Sequence, residues 1–421
     1  MDGILIENIR QLVQVRETSG DNPSWCGGHR MNRLPCIENA WLFIRDGVID
    51  GFGPMERNPY REEIPLGTTV IDATGKCVFP SFCDCHTHIV YAGSREQEFT
   101  DKIRGLSYKE IAARGGGILN SSRLLRETSE EELYRQSLVR ARELIRFGTG
   151  AVEIKSGYGL TVEDELKMLR VIRRIGQETP LTVRATFLGA HAVPEQYKGN
   201  QSGYVDLIIE EMIPRVAEEK LARYVDVFCE AGFFTVNETE RIFTAALRHG
   251  LRPRIHANQM DFSGGVQVAV DYGAISADHL EHTGPKEWDT LAGSDTMPVL
   301  LPGATFFLEM EYVRAREMID RGLPVALATN YNPGSCPAGN MQFMMTLACL
   351  KMKMTPEEAI NAATLNGAHA MDLSYSLGSI TAGKKANVFI TAPMPSYEYF
   401  IYAFTSPLVE TIILNGKITK T

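Results

Sequence analysis

From residue 78 onward the chain repeats one unit: an apolar run of strand length, a polar turn and an amphipathic helical stretch. This repetition limits the possible folds more than any other feature. The runs are "FPSFCDCHTHIV", "GAVEIKSG", "LTVRATFLGAHAV", "YVDVFCEAGF", "RPRIHAN", "AISADHL", "MPVLLPG" and "PVALATN". Near-continuous apolar strands alternating with helices indicate parallel pairing with both sheet faces covered, and eight such runs fit a closed (β/α)8, TIM-like barrel over residues 78–374. A doubly wound open sheet also alternates, but it does not naturally place polar residues at so many strand ends. The stretch "TSEEELYRQSLVRARELIRFG" shows the helical signals: a capping box of Ser129 and Glu132, then Tyr134, Leu138, Ala141 and Ile145 at helical spacing, then Gly148.

The two ends of the chain read differently. Residues 3–77 alternate short β-like runs ("ILIENI", "AWLFIRDGVIDGFG", "TTVIDATG") with Gly, Pro and Asp turns, and "ANVFITA" through "ETIILNGKITK" has the same character. The expectation is one small composite β-domain assembled from residues 1–77 and 375–421.

Charge narrows the partner. Among 421 residues, 43 basic against 52 acidic side chains leave a net charge of -9, which argues against nucleic acid or an anionic membrane surface and favours a small molecule. "MDGILIENIRQLVQV" has no basic region followed by an apolar one and no small-residue cleavage site, so a cytoplasmic protein is expected. The eight cysteines include no CxxC pair and are read as reduced thiols, mostly in the core.

Five of the nine histidines fall at ends of predicted strands: His86 and His88, His191, His256 and His279. In a barrel of this kind those ends converge on one rim, where Tyr158 and Glu230 also lie. A single HxH is weak, because alternate strand residues always share a face. Five histidines on one rim are a stronger signal, and neutral imidazoles so clustered suit Zn or Fe with a position open for water. His29, His249, His282 and His369 are read as surface or capping residues. "GGGI" at 115–118 lacks a GK[ST] ending and is read as a flexible active-site loop rather than a phosphate cradle.

"DCHTHIVYAGSREQEF" resembles the first-strand signature of the amidohydrolase superfamily and, within it, of the imidazolonepropionase family. "EIKSGYGLTVEDELKMLRVI", "TFLGAHAVP", "DVFCEAGFF", "ISADHLEHT" and "NPGSCP" resemble the same family in the same order, over nearly the whole chain. The resemblance implies one Zn2+ or Fe3+ per chain, with His86, His88 and His256 as metal-binding histidines. It implies that Arg95 grips the substrate's propionate, that Tyr158, His191 and Gln259 contact substrate, and that Asn332, Gly334 and Ser335 form the loop that holds it. His279 matches a histidine of proton transfer or substrate polarisation. Arg95 has a plainer reading as half of an ion pair, since "SREQEF" supplies acids on both sides. Lys155 is read as structural, because the family uses one metal.

The chain departs from the family at Asn330. The pattern there is Asp-x-Asn-x-Gly, whose aspartate ligates the metal and accepts the proton of the attacking water, whereas this chain has Asn330-Tyr331-Asn332-Pro333-Gly334. An amide oxygen can still approach a cation, but it is a weaker ligand than a carboxylate and no general base near neutral pH. Three readings follow: a chain whose base has been removed so that it traps substrate, a replacement base such as His279 or Glu230, or a paralogue with altered chemistry. The implied function is hydrolytic opening of 4-imidazolone-5-propanoate to N-formimidoyl-L-glutamate. Metal-bound water would attack the ring carbonyl, His191 or the metal would stabilise the oxyanion, and His279 would move protons. The alternatives are a heterocycle deaminase of the same superfamily and a non-catalytic ligand-binding homologue. A homodimer is the expected assembly.

Overall fold

The computed structural model describes residues 3–16, 24–106, 110 and 116–419. Eight parallel strands form one sheet in sequence order: Phe82–Thr87, Thr149–Lys155, Thr182–Ala190, Tyr224–Cys229, Arg252–Ala257, Ser276–His279, Met297–Leu300 and Ala326–Leu327. These are the eight apolar runs read from the sequence, with helices between them, so the (β/α)8 architecture stands. The last strand is short, and it meets the first through Asn330 N–H to the His86 carbonyl (3.0 Å) and His88 N–H to the Tyr331 carbonyl (2.9 Å). Asp84 draws the two together by accepting from Thr329 N–H at 3.0 Å and Thr329 Oγ1 at 2.6 Å. The seam of the barrel therefore runs directly beneath the HxH pair.

The helices Glu130–Arg146, Val162–Glu178 and Val236–Arg248 each bury one face. In the helix Glu130–Arg146, Leu133, Tyr134, Ala141, Leu144 and Ile145 are buried. Its expected capping box forms only in part: the Ser129 side chain accepts from Glu132 N–H, while the Glu132 carboxylate turns to Arg135 and Gln136 instead. The reciprocal box forms fully at Thr235 and Glu238, ahead of the helix Val236–Arg248.

A second eight-stranded sheet draws strands from both chain ends. Cys77–Pro80 pairs in parallel with Gly3–Val13 and antiparallel with Val388–Thr391, which continues into Val409–Leu414. Ile4, Ile6, Ile9, Leu42, Ile44, Val388 and Ile413 form its own apolar cluster. No helix among the described residues is long and apolar enough to cross a membrane, and none of the cysteines is paired.

Candidate active site

The strand period of two selects what enters the barrel. Asp84, His86 and His88 share one parity, as do Glu153 and Lys155, then Asp226, Phe228 and Glu230, then Arg254, His256 and Asn258. All of these side chains but Phe228 are polar, and all of them are buried. They stack in two levels: a charged layer in the middle of the barrel and a histidine layer at the rim. Asp278 and His279 are consecutive yet both face inward, which a regular strand forbids; the +84° φ of His279 breaks the alternation.

The histidine layer converges on one point. His88 Nε2 lies 3.2 Å from His86 Nε2 and 3.4 Å from His256 Nε2. His86, His256 and His279 also bring ligand atoms within 4.8 Å of one another. Ligands bonded at ~2.0–2.1 Å around a tetrahedral ion stand ~3.3–3.4 Å apart, so both spacings from His88 Nε2 match what that coordination requires.

The charged layer fixes their tautomers. His86 Nδ1–H donates to Asp278 Oδ2 at 2.6 Å and His256 Nδ1–H to Asp226 Oδ1 at 3.0 Å, so both Nε2 atoms carry a lone pair and face His88 Nε2. His88 Nδ1 has no hydrogen-bond partner among the described residues. Burial and the neighbouring positive charges push His86 and His88 well below the usual imidazole range, and burial lowers His256 as well. The three are therefore neutral, as a metal ligand must be.

Lys155 joins the two orienting carboxylates, with Nζ 2.7 Å from Asp226 Oδ2 and 3.6 Å from Asp278 Oδ2, and it also reaches Glu153 at 3.1 Å. Burial alone would lower its pKa, but the charges of Asp226 and Glu153 raise it, so it stays an ammonium. Burial would likewise raise Asp226, yet His256 and Lys155 hold its carboxyl below the ordinary range. This matches the structural reading of Lys155. Asp226, Asp278, Glu153 and Arg254 escaped the sequence reading, although Arg254 stands two residues before His256 and Asp226 four before Glu230, each on the same strand face as its rim residue.

Beside the histidines lies a cavity of about 280 Å³. It brings together every substrate-contacting residue expected from the sequence: Arg95, Tyr158, His191, Gln259, Asn332, Gly334 and Ser335. His88, His256, His279 and Asn330 also line it, while Phe228, Phe233, Leu308 and Met310 supply apolar walls that were not foreseen. Burial holds the Tyr158 phenol well above its usual range, so it stays protonated and can donate. Gln259 is held by its backbone: its N–H donates to Glu230 Oε2 at 2.8 Å and its carbonyl accepts from His282 Nδ1 at 3.0 Å. His282, read as a bland loop residue, thus fixes a cavity wall.

Two roles change. Glu230, a candidate replacement base, spends its carboxylate on the backbone N–H groups of Gln259, Met260 and Ala231 and does not line the cavity. His191 Nδ1–H donates to the Gly157 carbonyl at 2.9 Å, and burial lowers its pKa to about 3. Its Nε2 is then an acceptor, so a donor role toward an oxyanion does not suit it. Gly157, at φ +108°, is required there, because a Cβ would stand 3.0 Å from His191 Nδ1.

Asn330 is buried and has a left-handed φ of +54°. Its Nδ2 lies 3.4 Å from Ser335 Oγ, which also accepts from Asn332 Nδ2 at 2.7 Å. Asn332 Oδ1 in turn accepts from the N–H groups of Gly334 and Ser335 at 2.8 Å each, forming the turn that closes the cavity. With Nδ2 engaged on Ser335, the amide oxygen is the atom left for a cation. His279 Nδ1 stands 3.4 Å from Glu281 Oε1.

Comparison with known proteins identifies the family and the fold. The profile of the amidohydrolase family matches residues 77–419. The imidazolonepropionase of Flavobacterium johnsoniae is 57% identical over 98% of this chain and 99% of its own length. That of Christiangramia forsetii is 54% identical over 99% of each. Among solved structures, E. coli guanine deaminase superimposes with a TM-score of 0.75 over 100% of this chain and 99% of its own, at 15% identity, a likeness of fold alone.

Proposed function

The chain belongs to the imidazolonepropionase family of the amidohydrolases, metal-dependent hydrolases of carbon–nitrogen bonds, and from that membership we propose that it opens the ring of 4-imidazolone-5-propanoate to give N-formimidoyl-L-glutamate in histidine degradation. Water adds to the ring carbonyl, the adjacent C–N bond breaks, and the departing nitrogen takes up a proton. One observation carries the reading: three histidine Nε2 atoms converge at the edge of a cavity that also holds an arginine.

The donor set suits one Zn2+ or Fe3+ on His86, His88 and His256, with the Asn330 amide oxygen as a neutral fourth donor. Such an ion supplies Lewis acidity at the carbonyl and makes a water acidic near neutral pH. The remaining work falls to side chains. Arg95 binds the propanoate through its guanidinium, and Tyr158 and Gln259 orient the ring. His191 accepts a ring N–H at Nε2. With Asn330 unable to serve as base, His279 takes the proton of the attacking water at Nε2, and Glu281 steadies the imidazolium that results.

We further assign residues 1–77 and 375–421 to a composite β-domain around a barrel of residues 78–374, and the whole to a cytoplasmic homodimer. The deciding experiment follows imidazolone absorbance and ammonia together in metal-loaded protein. Imidazolone consumption without ammonia is expected. Ammonia release from cytosine or guanine analogues would favour a deaminase, and calorimetric binding without turnover at any metal loading would make the chain a ligand-binding homologue.

A further inference from the structure

Arg95 does not hang free in the cavity. Its Nε and Nη2 both donate to one oxygen of Glu98, Oε2, at 2.8 and 2.6 Å. The other oxygen, Oε1, accepts from Gly117 N–H at 3.0 Å and Asn120 Nδ2 at 3.3 Å. Four donors from three directions therefore hold the Glu98 carboxylate. The pair is little exposed, 12% for Arg95 and 16% for Glu98, so solvent screens it weakly. On the opposite side Arg95 Nη1 rests against Gly334, where a Cβ would come within 2.1 Å. The guanidinium is clamped between an acid and a glycine, with its Nη1–Nη2 edge left unused by Glu98.

We propose that Glu98 is a positioning residue: by holding Arg95 edge-on and tying Gly117 to it, Glu98 gives the cavity its selectivity for a ring that carries a carboxylate. The inference rests on the substrate reading above and names the residue that makes it specific. A two-pronged carboxylate contact needs the guanidinium in one orientation, and the rotamer freedom that binding would otherwise remove is already gone in the free protein. Glu98 also sets a second wall, because Gly117 immediately precedes Ile118, the cavity-lining residue that opens the helix Ile118–Glu127. Of "GGGI", Gly115 lies outside the described residues.

The competing idea is that Glu98 occupies Arg95 and weakens binding of an anion. The geometry opposes it. Glu98 takes the Nε side of the guanidinium, and its second oxygen is anchored to Gly117 and Asn120, so it cannot swing onto the free edge.

The test uses two stable ring probes that differ only in the acid, hydantoin-5-propanoate and 5-propylhydantoin, titrated calorimetrically into full-length metal-loaded protein. The unaltered chain should prefer the propanoate. Glu98→Gln should weaken the propanoate about tenfold or more, the scale of a lost hydrogen bond to a charged group, and leave the propyl probe nearly unchanged. Glu98→Asp, which keeps the charge but draws the carboxylate back, should shift the same ratio in the same direction, and it carries the comparison if Glu98→Gln does not fold. Equal losses for both probes would reduce Glu98 to a structural residue, and tighter propanoate binding would make it a competitor; either result overturns the proposal. An unaltered chain without preference would sink the Arg95 assignment as well, a failure distinct from a preference that survives both variants.

Discussion

Replacing Asn330 by aspartate changes charge at almost constant shape, and the surroundings allow it. Asp tolerates the left-handed φ of +54° about as well as Asn does, and the main-chain bond from residue 330 to the His86 carbonyl survives, so the barrel seam should not move. The amide now donates toward Ser335 Oγ. A carboxylate would instead accept the Ser335 O–H and turn its other oxygen to the histidines, adding an anionic ligand and a proton acceptor in one step. Loss of a general base typically costs ~10²–10⁴-fold, so Asn330→Asp should raise kcat by about that factor, ~3–5 kcal/mol of barrier. Without metal the same change buries a carboxylate beside the Asp84 and Asp226 layer, so the metal-free variant should melt lower than its parent while the loaded one does not. The assays are kcat at saturating metal, metal stoichiometry by elemental analysis, and melting with and without chelator. Equal kcat at equal occupancy would refute the reasoning and leave His279 as a fully competent base in the present chain.

Three further outcomes are expected. Arg95→Lys should raise KM by far more than it lowers kcat in steady-state kinetics, because an ammonium loses the two-pronged contact; an unchanged KM would remove Arg95 from the substrate site. Asp226→Asn should weaken metal affinity ~10–100-fold in chelator competition, since a neutral amide polarises His256 less than a carboxylate does and turns an NH2 onto the Lys155 ammonium; unchanged affinity would mean His256 is not a ligand. His191 has a pH signature. An unfolded imidazole protonates near pH 6.5 but the folded one only near 3, so between these values unfolding takes up a proton and acid favours the unfolded state. Relative to His191→Asn, the metal-free parent should therefore lose about 2 kcal/mol of stability in urea melts between pH 6.5 and 5, and a constant difference would contradict the buried, neutral assignment.

Much of this molecule was legible in its sequence because two periodicities carry the information. The strand–helix alternation gave eight barrel strands at their observed places, and the rim position of His86, His88, His191, His256 and His279 followed from where each run ends. What stayed hidden was the layer below. Asp226 and Asp278 read as isolated acids in apolar runs, and only burial without solvent shows why they must face histidines and Lys155. Parity alone places Asp278 inward and His279 outward; the positive φ that brings both inside has no signature in a four-residue strand. Glu98 was visible only as one half of an ion pair, because its second oxygen is spent on Gly117, distant in sequence. The apolar walls come from Leu308 at the end of the helix Pro302–Leu308 and from Met310 just beyond it, where the chain leaves the helix and no periodicity applies.

The most direct test of the account is where the metal sits. Crystals of the loaded protein measured at the Zn or Fe absorption edge should show one anomalous peak per chain, ~2.0–2.1 Å from Nε2 of His86, His88 and His256, with the Asn330 amide oxygen turned toward it. A peak held by His86, His256 and His279 with His88 outside, or no peak in this layer at all, would contradict it.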